Sequence, residues 1–289
     1  MSAALPPCTF FMSTLNGRTY FGNNEDSGFD QTNVWFIPGE GGKHGYVCFG
    51  YNTGFPQGGM NDQGLCFDAA STPRVNIWFS PDKKAGNFDF LFRIMADCSA
   101  VEEVAEIIRT TTVPGLKFQG QLMFADKQGN AIIVGGPDKN GDLDVIPSKG
   151  KVMICANFFP NHPEMGGQPS RRYDTAASML KANPDPSVEN FRAILQAVSV
   201  PKTQYSNIFD LNTGEILIYH FHDFSRAVQM NLARELQKGA HAYRIAALFS
   251  KPDSGGTLDE INRKRAEGRI SRRIPEFIEY QGPNSRKPS

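Results

Sequence analysis

Near its start the chain runs Pro7-Cys8-Thr9-Phe10-Phe11-Met12-Ser13-Thr14-Leu15-Asn16-Gly17-Arg18-Thr19-Tyr20-Phe21-Gly22-Asn23-Asn24-Glu25-Asp26. One apolar run, Thr9 to Leu15, and a shorter one, Thr19 to Phe21, flank Asn16-Gly17. An Asn-Gly pair between two such runs is a strong hairpin signal, because both residues tolerate the positive φ that a type I′ turn demands. Cys8 is therefore expected at the first residue of a strand, with Asp26 returned beside it at the end of the partner strand. A thiol with a carboxylate folded onto it can do chemistry. A free cysteine taken alone is more often a small buried apolar residue.

Outward from this hairpin, Asn33 to Ile37 and Gly45 to Phe49 read as strands, and the Gly-, Pro- and aromatic-rich residues 50–59 read as a loop. Gly58-Gly59-Met60-Asn61-Asp62-Gln63-Gly64-Leu65 leads into a strand from Leu65 to Ala69. The period changes over 88–110, where Phe88, Leu91, Phe92 and Met95, then Val101, Val104, Ala105 and Ile108, suit two helices with Ser99 as the cap between them. Gln121 to Asp126 and Asn130 to Gly135 form a second hairpin, and Leu143 to Ile146 and Val152 to Ala156 continue the strands. Ser170 opens a helix and Ser187 opens another. Thr203 to Asp210 and Glu215 to Phe221 make a third hairpin. His220 and His222 alternate along its second strand, without partners that would make a metal site. Strands, a helical pair, more strands and more helices suit a layered α+β domain.

The chain has 289 residues, 40% apolar and 11% aromatic, enough for a sizeable core, and its formal net charge is zero. Nothing in that balance points to nucleic acid or an anionic membrane. The five cysteines, at 8, 48, 66, 98 and 155, show neither a disulfide framework nor a metal spacing. A reducing compartment such as the cytoplasm is the default expectation, or the periplasm or exterior if a longer leader is removed. No segment is apolar for long enough to form a membrane helix. Met1 to Pro7 is too short for a complete signal peptide and reads as a propeptide or the remnant of a leader. The domain is expected over 8–250. The Gly-, Pro- and charge-rich residues 251–289 are expected to form an arm over the domain or over a second subunit.

Four segments in order, Cys8-Thr-x-Phe with Phe21-Gly-x-Asn-x-Asp26, Gly59-Met60-Asn61, Cys155-Ala156-Asn157, and Tyr205-Ser206 with Asp210-Leu-x-Thr-Gly214, resemble the choloylglycine hydrolase family. This family of N-terminal-nucleophile (Ntn) hydrolases contains the bile salt hydrolases and penicillin V acylases. The resemblance covers residues 8 to about 225 and implies a four-layer αββα sandwich in a single domain. It implies a cysteine nucleophile that becomes the first residue, with its own α-amine as base. Amine and thiol have ordinary pKa values of about 8 and 8.5, so a proton passes between them cheaply near neutral pH. By the same resemblance Cys8 is the nucleophile and Asp26 orients the amine. The Asn61 backbone N–H and the Asn157 side chain hold the oxyanion. Arg171, in Ser170-Arg171-Arg172-Tyr173, approaches the nucleophile, with Arg172 as the alternative.

No cofactor is implied. The expected partner is a small acyl-amide substrate, without nucleic acid or membrane, and a homo-oligomer is compatible with this. Two departures stand out. Asn23 occupies the place of an arginine in the bile salt hydrolases, and the long loop that those enzymes carry between the asparagine and the arginine is missing. The expected reaction is hydrolysis of a linear C–N amide with an apolar acyl group, walled by aromatic residues among Trp35, Phe36, Tyr51, Phe55, Phe158 and Phe159. An acyltransferase of the same superfamily, or a binding protein that keeps the fold without the chemistry, are the alternatives. A Cys–His pairing of Cys8 with His44, His162 or His241 is a more distant one.

Overall fold

The computed structural model describes residues 8–166, 170–251 and 254–282. The expectation for Met1 to Pro7 lies outside them. Asn16 (φ 54°) and Gly17 (φ 76°) both take the left-handed conformation. They close a two-residue turn between β1 (Thr9–Leu15) and β2 (Arg18–Asp26). That turn sets an unbroken register from Leu15 opposite Arg18 to Thr9 opposite Asn24.

Two antiparallel sheets follow. In the first, β1 and β2 sit among β10 (Val152–Cys155), β11 (Thr203–Asp210), β12 (Glu215–His220) and β13 (Asp223–Asn231), in the order β10-β1-β2-β11-β12-β13. The second has eight strands: β3 (Thr32–Ile37), β4 (Tyr46–Tyr51), β5 (Pro56–Asn61), β6 (Cys66–Ala70), β7 (Gln121–Ala125), β8 (Ala131–Pro137), β9 (Leu143–Pro147) and β14 (His241–Arg244). These run in chain order from β3 to β9, with β14 placed outside β3.

Side-chain alternation along each strand assigns the layers. Cys8, Phe10, Met12 and Phe21 turn inward and pack between the sheets with Val34, Phe36, Phe49, Met60 and Phe209. Phe11 and Tyr20 turn outward to meet α3 (Arg171–Ala182) and α4 (Val188–Val198), through Ala176, Leu180, Phe191 and Leu195. On the far side α1 (Phe90–Asp97) and α2 (Val101–Thr110) cover the eight-stranded sheet. The result is the expected αββα sandwich. Gly22 lets α4 come close, since a Cβ there would stand 3.0 Å from Phe191 Cδ1.

Several local expectations are corrected. Residues 50–59 are largely strand, because Gly58 and Gly59 serve close strand contacts rather than a loop. A Cβ on Gly58 would fall 2.3 Å from Asp68 Oδ2, and one on Gly59 would fall 2.4 Å from the Val47 carbonyl. The cap of α2 is Ala100, whose N–H is taken by the Glu103 carboxylate at 3.3 Å, while the Ser99 hydroxyl pairs with His44. β12 stops at His220: Phe221 has φ 52°, so His222 does not continue the strand.

Residues 223–250 complete the two sheets. They supply β13, β14 and the short helices α5 (Leu232–Leu236) and α6 (Ile245–Leu248). Beyond residue 251, α7 (Leu258–Ala266) and the segment after it bury Ile261, Ile270, Ile274 and Phe277 in the same cluster as α1 and α2. Among the described residues no helix is long and apolar enough to cross a membrane.

Phe191 is fully buried, with ring centroids 4.9 Å from Phe11 and 5.6 Å from Tyr20. Truncating a core phenylalanine removes apolar burial and leaves a cavity. Phe191→Ala should therefore lower the unfolding free energy by about 3–5 kcal/mol, read from urea denaturation midpoints at constant slope.

Candidate active site

Cys8 immediately precedes β1 and is 5% exposed, with its thiol at the edge of a cavity of about 830 Å³. All five cysteines are free and buried, but Cys8 alone of them lines this cavity. The β1–β2 register ends at Thr9 opposite Asn24, so the next residues of the two strands are Cys8 and Glu25. Their side chains meet: the thiol donates to Glu25 Oε2 at 3.5 Å. The other Glu25 oxygen accepts from the Tyr51 hydroxyl at 2.7 Å.

Asp26, one residue on, points to the opposite face of the sheet. Its Oδ1 accepts from the Thr203 hydroxyl at 2.5 Å, and its Oδ2 from Arg172 Nη1 at 2.9 Å. The same Arg172 nitrogen reaches Thr9 Oγ1 at 2.9 Å, and Nη2 reaches Asn157 Oδ1 at 3.4 Å. Asn157 lies two residues beyond the last β1–β10 pair, Phe10 with Cys155, so continuing that register would set it on the other side of Cys8. Its amide nitrogen donates to the Ser71 carbonyl at 2.8 Å, and Ser71 borders the cavity. The strand ends beside the thiol are thus tied together through one arginine and one asparagine.

Two sequence assignments are corrected here. Arg171 is exposed at the start of α3, whereas Arg172 turns inward to hold Asp26, Thr9 and Asn157. Asn61 stands at the end of β5 and does not line the cavity. Its N–H is given to the Leu65 carbonyl at 2.9 Å, and its amide binds the Met95 and Cys98 carbonyls. The Gly-Met-Asn segment therefore builds a turn, with Asn61 as its internal strut. Glu25 was missed, although the two-residue turn and strand alternation together would have placed it opposite Cys8.

The histidines also stand apart from the thiol. His44 contacts Ser99 and Asp62, His162 contacts Glu164, and His241 contacts Glu235. Of the six aromatic residues proposed for the pocket, only Tyr51 and Phe55 line it. Trp35, Phe36 and Phe159 are core, and Phe158 packs edge-on against Tyr173. The apolar wall comes instead from Phe29, Phe88, Phe90, Leu91, Leu116 and Leu122.

Burial dominates the electrostatics. It pushes the Cys8 thiol well above its ordinary value, and the nearby Glu25 charge adds to that. Glu25 is pushed up to about 7 by burial, against the pull of its hydrogen bonds from Tyr51 and Cys8. Asp26 is likewise pushed up to about 7 by burial, against the Thr203 hydrogen bond and the Arg172 charge. Asp68, on β6, is held well above the carboxylate range by burial and then by Glu25. A buried carboxyl without a cation keeps its proton because the charged form is poorly solvated.

This αββα sandwich is the fold of the Ntn hydrolases. Among solved structures it is similar to conjugated bile acid hydrolase from Clostridium perfringens, at TM-score 0.60 and 19% identity over 80% of this chain and 94% of that one. It is also similar to penicillin V acylase from Agrobacterium tumefaciens, at TM-score 0.62 and 15% identity over 81% and 90%. A Caenorhabditis elegans ortholog of N-acylethanolamine-hydrolyzing acid amidase matches at TM-score 0.50 and 15% identity over 71% and 93%. At these identities the likeness is one of fold. No protein-family model and no curated protein matches the sequence.

Two outcomes test the site's physics. Arg172→Met leaves Asp26 buried without its cation and should cost about 3–5 kcal/mol of stability, whereas Arg171→Met should change it by less than about 0.5 kcal/mol. The second concerns pH. Glu25 holds a proton in the folded chain up to about 7 that the unfolded chain releases near its ordinary value of 4.5. Its contribution to stability is therefore full below about pH 4.5 and is lost as pH rises through about 7, by at most roughly 3 kcal/mol. Asp26 acts with the same sign. Glu25→Gln should remove Glu25's share of the slope when unfolding free energy is measured from pH 4 to 8.

Proposed function

We propose that this protein hydrolyses linear C–N amide bonds with Cys8 as nucleophile. The observation that carries the proposal is Cys8 on the wall of a large, mainly apolar cavity, its thiol on Glu25, at strand ends that Arg172 ties together through Asp26, Thr9 and Asn157. The proteins of similar fold named above, a bile acid hydrolase, a penicillin V acylase and an acid amidase, support hydrolysis of an acylated amine as the reaction. The pocket's size suits a small molecule, and its aromatic and aliphatic wall suits an apolar acyl group.

In this mechanism Cys8 becomes the first residue by loss of Met1 to Pro7. Its α-amine takes the thiol proton and the sulfur attacks the amide carbonyl carbon. The carbonyl π electrons move to oxygen, where the Asn157 amide is the donor, and such a donor is worth about 3 kcal/mol of barrier. When the C–N bond breaks, the amine returns the proton to the leaving nitrogen, leaving a thioester that water hydrolyses. The Arg172–Asp26 pair is a positioning device. It ties α3 to the strand ends and holds the Asn157 side chain by its oxygen. No histidine enters this scheme, and none is found among the described residues that line the cavity.

The test is a panel of acylated amines given to the processed protein and to Cys8→Ala, with released amine and intact protein mass both followed. An acyl adduct on Cys8 and a loss of turnover of at least about 1,000-fold in Cys8→Ala are expected. Undiminished turnover by Cys8→Ala would rule out the mechanism.

A further inference from the structure

The thiol faces a difficulty in the uncut chain. There the Cys8 nitrogen is part of the Pro7–Cys8 peptide bond, so it carries no basic lone pair and cannot take the thiol proton. The surroundings supply an alternative. Glu25 Oε2 accepts from the Cys8 thiol, while Oε1 is occupied by the Tyr51 hydroxyl. This arrangement aims one oxygen at sulfur and anchors the other. We propose that Glu25 takes the proton from the Cys8 thiol in the uncut chain, so that the protein breaks its own Pro7–Cys8 bond.

The neighbouring acids are less suited. The Asp26 oxygens face Arg172 and Thr203 on the other side of the sheet. Asp68 accepts with one oxygen from the Ala69 N–H, and its buried second oxygen finds no partner among the described residues. Burial keeps Asp68 protonated, which spares Glu25 a second charge. The titratable groups acting on or around Glu25 are Cys8, Asp26 on its own strand, Tyr51 on β4, Asp68 on β6 and Tyr205 on β11. Among the described residues no cation is ion-paired with Glu25, and Arg172 bonds to Asp26. In such a site a separate thiolate and carboxylate would repel each other, but moving one proton from sulfur to Oε2 leaves the pair's total charge unchanged. Glu25 titrates at about 7, so its ionised form is available near neutrality, which is what a general base needs.

The step balances without an oxidant or metal. The thiol proton moves to Glu25 Oε2, and sulfur bonds to the Pro7 carbonyl carbon, whose π electrons move to oxygen. Collapse breaks the bond from that carbon to the Cys8 nitrogen, and Glu25 returns the proton to this nitrogen. Water then adds to the thioester carbon, freeing the segment that ends at Pro7 as an acid and restoring the thiol. The product carries the α-amine that the proposed hydrolysis uses.

This inference rests on Cys8 being a nucleophile, so the experiment separates the two. The full chain from Met1 is made by cell-free translation as wild type, Glu25→Gln, Glu25→Asp, Tyr51→Phe and Cys8→Ala. Loss of residues 1–7 is followed by intact mass from pH 5 to 9. In parallel, iodoacetamide labelling of the Cys8 peptide is timed at each pH. Wild type should process itself and be labelled with an inflection near pH 7. Glu25→Gln should slow both by at least about tenfold at pH 7, and Glu25→Asp should restore part of the loss. Tyr51→Phe removes a hydrogen bond that steadies the Glu25 carboxylate, so its inflection should move to higher pH. This shift is expected only if Glu25 is the group titrating, and it decides the matter if Glu25→Gln fails to fold. Equal rates in wild type and Glu25→Gln, or an unmoved inflection in Tyr51→Phe, would overturn the role of Glu25 and leave the nucleophile intact. Labelling of wild type without processing would overturn the self-cleavage. Processing of Cys8→Ala at the wild-type rate, or no labelling of wild-type Cys8 at any pH, would overturn both readings.

Discussion

The Asn16-Gly17 turn admits two residues between β1 and β2, and so decides which side chains of those strands stand opposite one another. Its left-handed geometry matches the twist of the strands it joins. Because side chains alternate faces, the same register that buries Phe10, Met12 and Phe21 between the sheets also turns Cys8 and Glu25 inward. A slip of one residue would exchange the two faces along the whole hairpin. Core packing and the chemistry of the thiol are therefore held by the same constraint, and neither can be altered without the other.

What this constraint brings together is costly. A thiol and three carboxyl groups, Glu25, Asp26 and Asp68, gather where water is scarce, and among the described residues a cation pairs only with Asp26. The rest of the local structure compensates. Tyr51 and Thr203 donate to the carboxyl oxygens, and Arg172 spans Asp26, Thr9 and Asn157 from the first turn of α3. Such groups are stable together only when few of them are charged at once, so protonation and geometry are coupled here.

Much of this was legible in the sequence. The Asn-Gly turn, the helical spacing over 88–110 and the alternating apolar runs located most of the strands and the four helices of the outer layers. Where the sequence misled, the reason was local. Gly58 and Gly59 looked like loop residues, yet they are glycines because Asp68 and the Val47 carbonyl approach too closely for a Cβ. Arg171 and Arg172 are adjacent and chemically identical, and only the rotational position of α3 selects the second. Asn61 sits in a motif of suggestive composition but spends its polar contacts inside its own turn and on the α1 end. Residues 223–250 carry β14, whose place beside β3 arises from a long-range pairing that no local pattern announces.

The C-terminal arm also bears on the open rim of the larger sheet. β14 is an outer strand of the eight-stranded sheet, and such an edge offers unpaired N–H and C=O groups to any passing chain. Here Ala242 gives its N–H to the Glu276 carbonyl at 2.9 Å and takes the Ile278 N–H at 3.0 Å. Phe277, between them, is buried among side chains of the same sheet. The arm thus works as a selvedge, binding off the hydrogen-bonding rim so that the sheet does not become a template for strand-by-strand aggregation.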